Sequence, residues 1–221
     1  MIAMALYIIG TGPGDPELIT IKGLNTLMRC NVVAGWKSVI SRFAEYVINK
    51  LVIELNYKDE ERLLRRVVEI AVNKEVCFLM HGDPSVSERQ LMNKLRSLAE
   101  EYGVELVIIP GVSSILHALS LLGRDLADVV FITLHERNPR FEEIALFAGL
   151  GRDLLILPPP YSDGIGELAR ELIKHYGDNH EVFILENLTL NNERVIKVRL
   201  RELLMYKIET NLVIIYVPGR K

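Results

Sequence analysis

Leu6-Tyr7-Ile8-Ile9-Gly10-Thr11-Gly12-Pro13-Gly14-Asp15-Pro16-Glu17 is the stretch on which the fold turns. An unbroken apolar run, Leu6–Ile9, fits a strand covered on both faces. Three glycines within five positions then let the backbone turn sharply and approach a ligand closely. At Asp15-Pro16-Glu17 a helix is expected to begin, because Asp can cap, Pro suits the first helical position, and Glu favours the positive helix end. The spacing predicts an apolar face of Leu18, Ile21, Leu24 and Met28. Strand, glycine turn and helix together make half of a βα unit, and the rest of the chain repeats the pattern.

Further strands are expected at Val32–Ala34, Leu51–Leu55, Val76–Met80 and Leu106–Ile109, then at Val129–Leu134, Leu154–Leu157, Val182–Leu185 and Leu212–Val217. Arg194–Val198 reads as an added antiparallel strand. Helical spacing joins Leu63, Leu64, Val67, Val68 and Ala71, and likewise Leu91, Leu95, Leu98 and Tyr102. Two more helices are expected near Ser113–Leu122 and Ile165–Tyr176. Pro158-Pro159-Pro160 can extend neither a helix nor a central strand, so it ends one. The hinge falls at Pro110-Gly111, giving domains 1–110 and 111–221. The expected class is α/β, two α/β domains with mainly parallel sheets.

Composition narrows the partners. With 26 Lys and Arg against 29 Asp and Glu, the net charge of −3 offers no general attraction to phosphate backbones, which argues against a nucleic-acid partner. At 49% hydrophobic and 25% charged residues the chain is of ordinary globular type, and disorder is excluded. Cys30 and Cys77 lack neighbours at metal-ligand spacing, so reduced core thiols and no metal site are expected. Met1–Ile9 has no basic leader or small-residue cleavage site and reads as a first strand. No apolar run reaches membrane-spanning length. A cytoplasmic location without membrane partners follows as the expectation.

Ligands of parallel sheets collect beyond the carboxyl ends of strands, so the loops there matter most. Gly10–Asp15 departs from the dinucleotide fingerprint G-x-G-x-x-G, since its sixth position is Asp15 and no acid lies between Glu17 and Glu45. A plain strand-to-helix turn is the alternative. In His81-Gly82-Asp83-Pro84 the Asp is a ready N-cap, and in Pro110-Gly111-Val112-Ser113-Ser114 either Ser can cap the next helix. Thr133-Leu134-His135-Glu136-Arg137 sets an imidazole, a carboxylate and a guanidinium side by side, or is a solvated turn. Glu186-Asn187-Leu188 closes the set, or is a polar loop. The phosphate-loop, zinc-helix and nucleophile-elbow motifs are absent.

Taken in order, these loops resemble the tetrapyrrole methylase family. Its G-x-G-P-G-D-P-E-x-x-T opening is matched by Gly10–Thr20, its G-D-P loop by Gly82-Asp83-Pro84, and its P-G-[IV]-[ST]-S loop by Pro110–Ser114. Thr133–Arg137 and Glu186-Asn187-Leu188 look most like the C5 methyltransferases of cobalamin synthesis, which act on cobalt-precorrin-7. The resemblance implies two α/β domains with S-adenosylmethionine in the cleft between them, in a homodimer. By motif, Pro13, Asp83, Val86, Ser114 and Ile115 would contact this cofactor, with Leu134, Leu157, Leu188 and Asn211 around the adenosine. Gly12 and Gly14 would shape the tetrapyrrole entrance, and Arg89, Arg137 and Arg140 would grip its carboxylates. Asp83 and His135 are candidates for a general base. A C15-methylating, decarboxylating enzyme would be the functional partner. Other implied readings are a methylase acting on a different precorrin carbon, on the modified histidine of elongation factor 2 or on ribosomal RNA, and a binding module without turnover. The chain departs from the family at Ser85–Arg89, which lacks the usual glycine, and at Glu136, where the C5 enzymes have Gly.

Overall fold

The structure is a computed structural model and describes residues 4–135, 139–207 and 210–220. The chain divides into two compact units, Met1–Ser114 and Ile115–Lys221.

Unit 1 holds a five-stranded sheet made of β1 (Ala5–Gly10), β2 (Val32–Trp36), β3 (Leu51–Leu55), β4 (Val76–Met80) and β5 (Glu105–Ile109), in the order β3-β2-β4-β1-β5. Every pairing is parallel. Successive strand residues point to opposite faces, and β4 shows both faces covered. Val76, Phe78 and Met80 pack under α3 (Glu60–Ala71) and α4 (Arg89–Tyr102), whereas Cys77 and Leu79 face Leu27, Val39 and Phe43. The expected faces of α3 and α4 are buried or packed against this core.

The first helix differs from expectation. Asp15 caps only a 3-10 turn, Pro16–Leu18, accepting from the Glu17 amide at 2.9 Å. Ile19 is extended, and α1 (Ile21–Arg29) starts afresh under Thr20, whose Oγ1 accepts from the Gly23 amide at 3.0 Å. That break resets the helical phase. The buried residues are Gly23, Thr26 and Leu27, while Ile21 and Met28 of the expected apolar face are 81% and 61% exposed. Lys50 completes the far end of α1, its ammonium donating to the carbonyls of Leu27, Met28 and Cys30 at 3.1, 3.0 and 2.6 Å. These carbonyls would otherwise be orphaned at the negative helix end. Lys50→Met is expected to lower stability by about 1.5–3 kcal/mol, the range for hydrogen bonds to a charged group. A lower urea midpoint at unchanged slope is the readout.

The cysteines also differ from the expected reduced thiols. Cys30, at the C-cap of α1, is disulfide-bonded to Cys77 in β4, with Cα atoms 5.9 Å apart. Packing of α1 on the sheet brings together residues 47 apart in sequence. Closing such a loop is worth about 4 kcal/mol in the chain-entropy description.

Unit 2 contains α5 (Ser114–Leu122), which begins at the last residue of unit 1, and a sheet in the order β6-β7-β10-β8-β9. Its strands are β6 (Val129–Thr133), β7 (Asp153–Leu157), β8 (Glu181–Glu186), β9 (Arg194–Arg199) and β10 (Val213–Val217). β6 and β7 are parallel, β10 runs antiparallel to both β7 and β8, and β9 is antiparallel to β8 as expected. Three of the five strands therefore share one direction. The last strand enters the middle of the sheet, reversed. α6 (Glu142–Gly149), α7 (Gly164–Tyr176) and the short α8 (Leu200–Leu203) bury Ile144, Leu168, Leu172 and Leu203 against the sheet. Among the described residues no helix is long and apolar enough to cross a membrane.

Candidate functional site

Three loops leave the carboxyl edge of the unit 1 sheet in backbone-to-backbone contact. Gly12 and Gly82 form an antiparallel bridge, Gly82 N donating to Gly12 O at 2.8 Å and Gly12 N to Gly82 O at 3.3 Å. The Thr11 amide and hydroxyl both donate to Met80 O, each at 2.9 Å. A Cβ on Gly10 would lie 2.6 Å from Gly111 N and 2.8 Å from Gly82 O, and one on Gly111 only 2.3 Å from Gly82 O. Glycine at 10 and 111 is required by proximity, not by backbone torsion.

Asp83 ties the loops together. Oδ1 accepts from Ser85 N at 2.7 Å, and Oδ2 accepts from Gly111 N at 2.9 Å. This corrects its expected role as a helix cap. α4 starts at Arg89, six residues on, with Glu88 at the cap position and making no capping bond. Gly12, bridged to Gly82 beside Asp83, and the Pro13 and Gly14 that follow it are buried; half-buried Val86 donates its amide to Asp83 O at 3.0 Å. Ser114 follows the Gly111 loop and is half-buried, while Arg89 is exposed.

The remaining candidates belong to unit 2, at the carboxyl edge of β6, β7 and β8. Leu134 N donates to Leu157 O at 2.8 Å, and Asn187 N to Leu212 O at 2.9 Å. Leu134, Leu157, Leu188 and Asn211 therefore share one sheet edge. Leu134 buries its side chain in the core, so what it can offer a ligand is backbone. Leu188 and Ile115 are buried, and Asn211 is exposed. Arg140 is exposed and paired with Glu143 at 3.1 Å, leaving it poorly placed to grip a second carboxylate. Arg137 and Glu136 lie outside the described residues.

At the end of β8, the fully buried Glu186 is held by Arg194 at 2.5 Å and by the Tyr206 hydroxyl at 3.1 Å. Asn187 and Thr189 take left-handed torsions, φ 51° and 68°. Glu193 fixes the turn, accepting from Thr189 N at 2.6 Å and pairing with the His117 ring at 3.1 Å. An open hollow of about 430 Å³ lies alongside, lined by Asn187, Asn192, Arg194 and Thr210.

Sequence motifs did not single out three ionisable groups here. Glu88, half-buried in the segment that departs from the family pattern, is pushed up to about 7 by burial and then by the nearby Glu60 carboxylate. The other two are Arg42 and His81, Arg42 Nη1 lying 3.3 Å from His81 Nδ1. His81 stood in a motif as a loop residue without a role, and no local pattern marks Arg42. His135 keeps an exposed side, yet burial by the protein packed about it pushes it below its ordinary value, partly opposed by a backbone hydrogen bond at Pro158. Its ring is therefore neutral at pH 7. Among the described residues no three His, Cys, Asp or Glu side chains gather as a metal site.

The Glu88 shift has a sign that can be tested. A carboxyl raised from 4.5 to about 7 on folding stabilises the protonated chain, and that contribution is lost as pH rises from 4.5 through about 7. Glu88→Gln should match the wild type at pH 4. At pH 8 it should be more stable by about 1–2 kcal/mol, less than full linkage because the group is partly solvated. Paired melting curves between pH 4 and 8 give the comparison.

Comparisons with known proteins were consistent in kind. The model of tetrapyrrole (corrin/porphyrin) methylases matches residues 5–204. The uroporphyrinogen-III C-methyltransferase of Methanobacterium ivanovii is 30% identical over 209 residues, 87% of each chain. The probable cobalt-precorrin-7 C(5)-methyltransferase of Methanocaldococcus jannaschii is 29% identical over 199 residues, 90% of each. Among solved structures, the precorrin-6Y methylase cbiE of Archaeoglobus fulgidus superposes with a TM-score of 0.72 at 25% identity, covering 99% of both chains. With its glycine-packed loops tied by Asp83 and a match spanning nearly its whole length, the chain belongs to the tetrapyrrole (corrin/porphyrin) methylase family.

Proposed function

We propose that this chain is an S-adenosylmethionine-dependent C-methyltransferase of corrin-ring synthesis, acting at C5 of cobalt-precorrin-7. The observation that carries methyl transfer is the Asp83 clamp, a carboxylate held by Ser85 N and Gly111 N on loops packed at Gly10, Gly82 and Gly111. Backbone-rich walls with one negative charge suit a cationic ligand such as the methyl donor. Pro13, Asp83, Val86, Ser114 and Ile115 would hold the donor, with Leu134, Leu157, Leu188 and Asn211 supplying the surface about its adenosine. When bound, adenosylmethionine supplies a methyl group already activated on a sulfonium.

The protein's part is then alignment and water exclusion. Asp83 orients, both of its oxygens being engaged by backbone N–H groups. His135, neutral at pH 7, is suited to take the proton that a methylated ring carbon releases. C5 is favoured over other positions by Thr133–Arg137 and Glu186-Asn187-Leu188. A different ring carbon is the second reading, favoured by the uroporphyrinogen-III enzyme's equally close kinship and by the altered Ser85–Arg89 segment. A homodimer in the cytoplasm, working beside a C15-methylating, decarboxylating enzyme, completes the proposal.

The test is to incubate the chain with adenosylmethionine and, separately, cobalt-precorrin-7, cobalt-precorrin-4 and uroporphyrinogen III. Mass spectrometry follows addition of one methyl group and release of adenosylhomocysteine. Methylation of cobalt-precorrin-7 alone supports C5, and methylation of another acceptor moves the assignment to that carbon. Donor binding with no turnover on any acceptor favours a binding module.

A further inference from the structure

Arg42 sits on the 3-10 turn Ser41–Tyr46 between β2 and β3, yet its guanidinium reaches His81, the first residue beyond β4. A guanidinium has no lone pair and can only donate. The imidazole therefore accepts at Nδ1, which selects the neutral ring protonated at Nε2. Among the described residues this is Arg42's one side-chain hydrogen bond, and no carboxylate pairs with it. Burial alone moves its titration, downward, with no acidic neighbour opposing.

Several more exposed arginines are better provided with acids. Arg65, Arg124, Arg140, Arg170 and Arg194 each have a carboxylate partner within 3.6 Å, although all five side chains are more than two-fifths exposed and have little burial to offset. Arg42 is the more enclosed group and lacks one among the described residues. Removing a cation from water without a counter-charge is costly, and a protein normally offsets it with an acid. Here the fork is instead seated on His81, two residues before Asp83, with its other N–H donors left over at the carboxyl edge of a parallel sheet, where ligands collect.

We propose that Arg42 binds a carboxylate of the substrate, with His81 as the positioning residue that seats the guanidinium. The inference rests on the tetrapyrrole reading and deepens it, since such a macrocycle carries acetate and propionate arms that a planar fork can hold through two hydrogen bonds. Exposed Arg89 and acid-paired Arg140 are the weaker candidates for that task.

Uroporphyrin III, with eight carboxylates, is a stable probe whose fluorescence reports binding directly. Wild type, Arg42→Met, Arg42→Lys, His81→Gln and His81→Phe would be titrated with it, and separately with adenosylmethionine by calorimetry. Arg42→Met is expected to bind uroporphyrin about 30-fold more weakly, as for loss of a bidentate charge-assisted pair. Arg42→Lys should recover part of the loss. His81→Gln, which keeps an acceptor, should stay near wild type, whereas His81→Phe falls toward Arg42→Met. Adenosylmethionine affinity within twofold of wild type shows that each variant is folded; a purely structural Arg42 would lower both affinities together, and that result overturns the inference. So does wild-type porphyrin affinity in a folded Arg42→Met. If the wild type binds adenosylmethionine but not uroporphyrin, the tetrapyrrole reading itself fails, and the inference with it.

Discussion

Gly111→Ala is expected to cost about 3 kcal/mol of stability or more, the upper end of the roughly 1–3 kcal/mol usual for steric overpacking, because this site cannot relax. Adenosylmethionine affinity in whatever remains folded should fall by at least about 100-fold, since a displacement on the ångström scale is enough to spoil such alignment. The added Cβ would stand 2.3 Å from Gly82 O and 2.6 Å from the Gly10 carbonyl carbon. Both obstacles are backbone, and both belong to loops that the bridge and Asp83 hold in place. Gly103 supplies the contrast. It has a left-handed φ of 64° but nothing within 4 Å of where a Cβ would stand, so Gly103→Ala should cost about 1 kcal/mol by torsion alone and spare the ligand. Urea unfolding and calorimetry on the two variants separate crowding from strain. Equal behaviour of the two would falsify the close contact of the three loops.

Asp83→Arg is the second large effect. Both carboxylate oxygens are lost, leaving Ser85 N and Gly111 N without their acceptor, and a cation replaces the fixed negative charge. Adenosylmethionine, itself a sulfonium cation, should then bind at least about 100-fold more weakly, because an unsatisfied clamp and like-charge repulsion act together. Asp83→Asn keeps one carbonyl oxygen and similar volume, so an intermediate loss is expected. Circular dichroism identifies folded variants. A folded Asp83→Arg protein with wild-type affinity would put the cofactor elsewhere.

Strand positions are legible because doubly covered strands must be apolar throughout, and each aliphatic run expected as a strand overlaps one. Strand direction is not, since Leu212–Val217 has the same composition whether it runs with or against its neighbours. The face of α1 escapes the sequence for a definite reason. Asp15 and Thr20 are both good caps, and only the extended Ile19 between them decides which starts the helix. At the site, motif order marks the three loops of unit 1, but Asp83 looks like a cap because its partner Gly111 lies 28 residues away. Cys30 and Cys77 are hidden by the same kind of distance. Arg42 carries no local signal, because its partner His81 lies 39 residues away.

The position of β10 has a consequence for biosynthesis. Unit 1 draws all five of its strands from a contiguous stretch and can close its sheet once that stretch is free of the ribosome. Unit 2 cannot, because the strand that joins β7 to β8 is the last to be made. At roughly 5–20 residues per second the delay between the two is on the order of 5–20 s. In the last part of that interval, the roughly 1–4 s between completion of β9 at Arg199 and of β10 at Val217, β6–β7 and β8–β9 are two separate ribbons, each with an open edge of unpaired backbone. Those edges are the place where a nascent chain would need shelter from its neighbours on the same message.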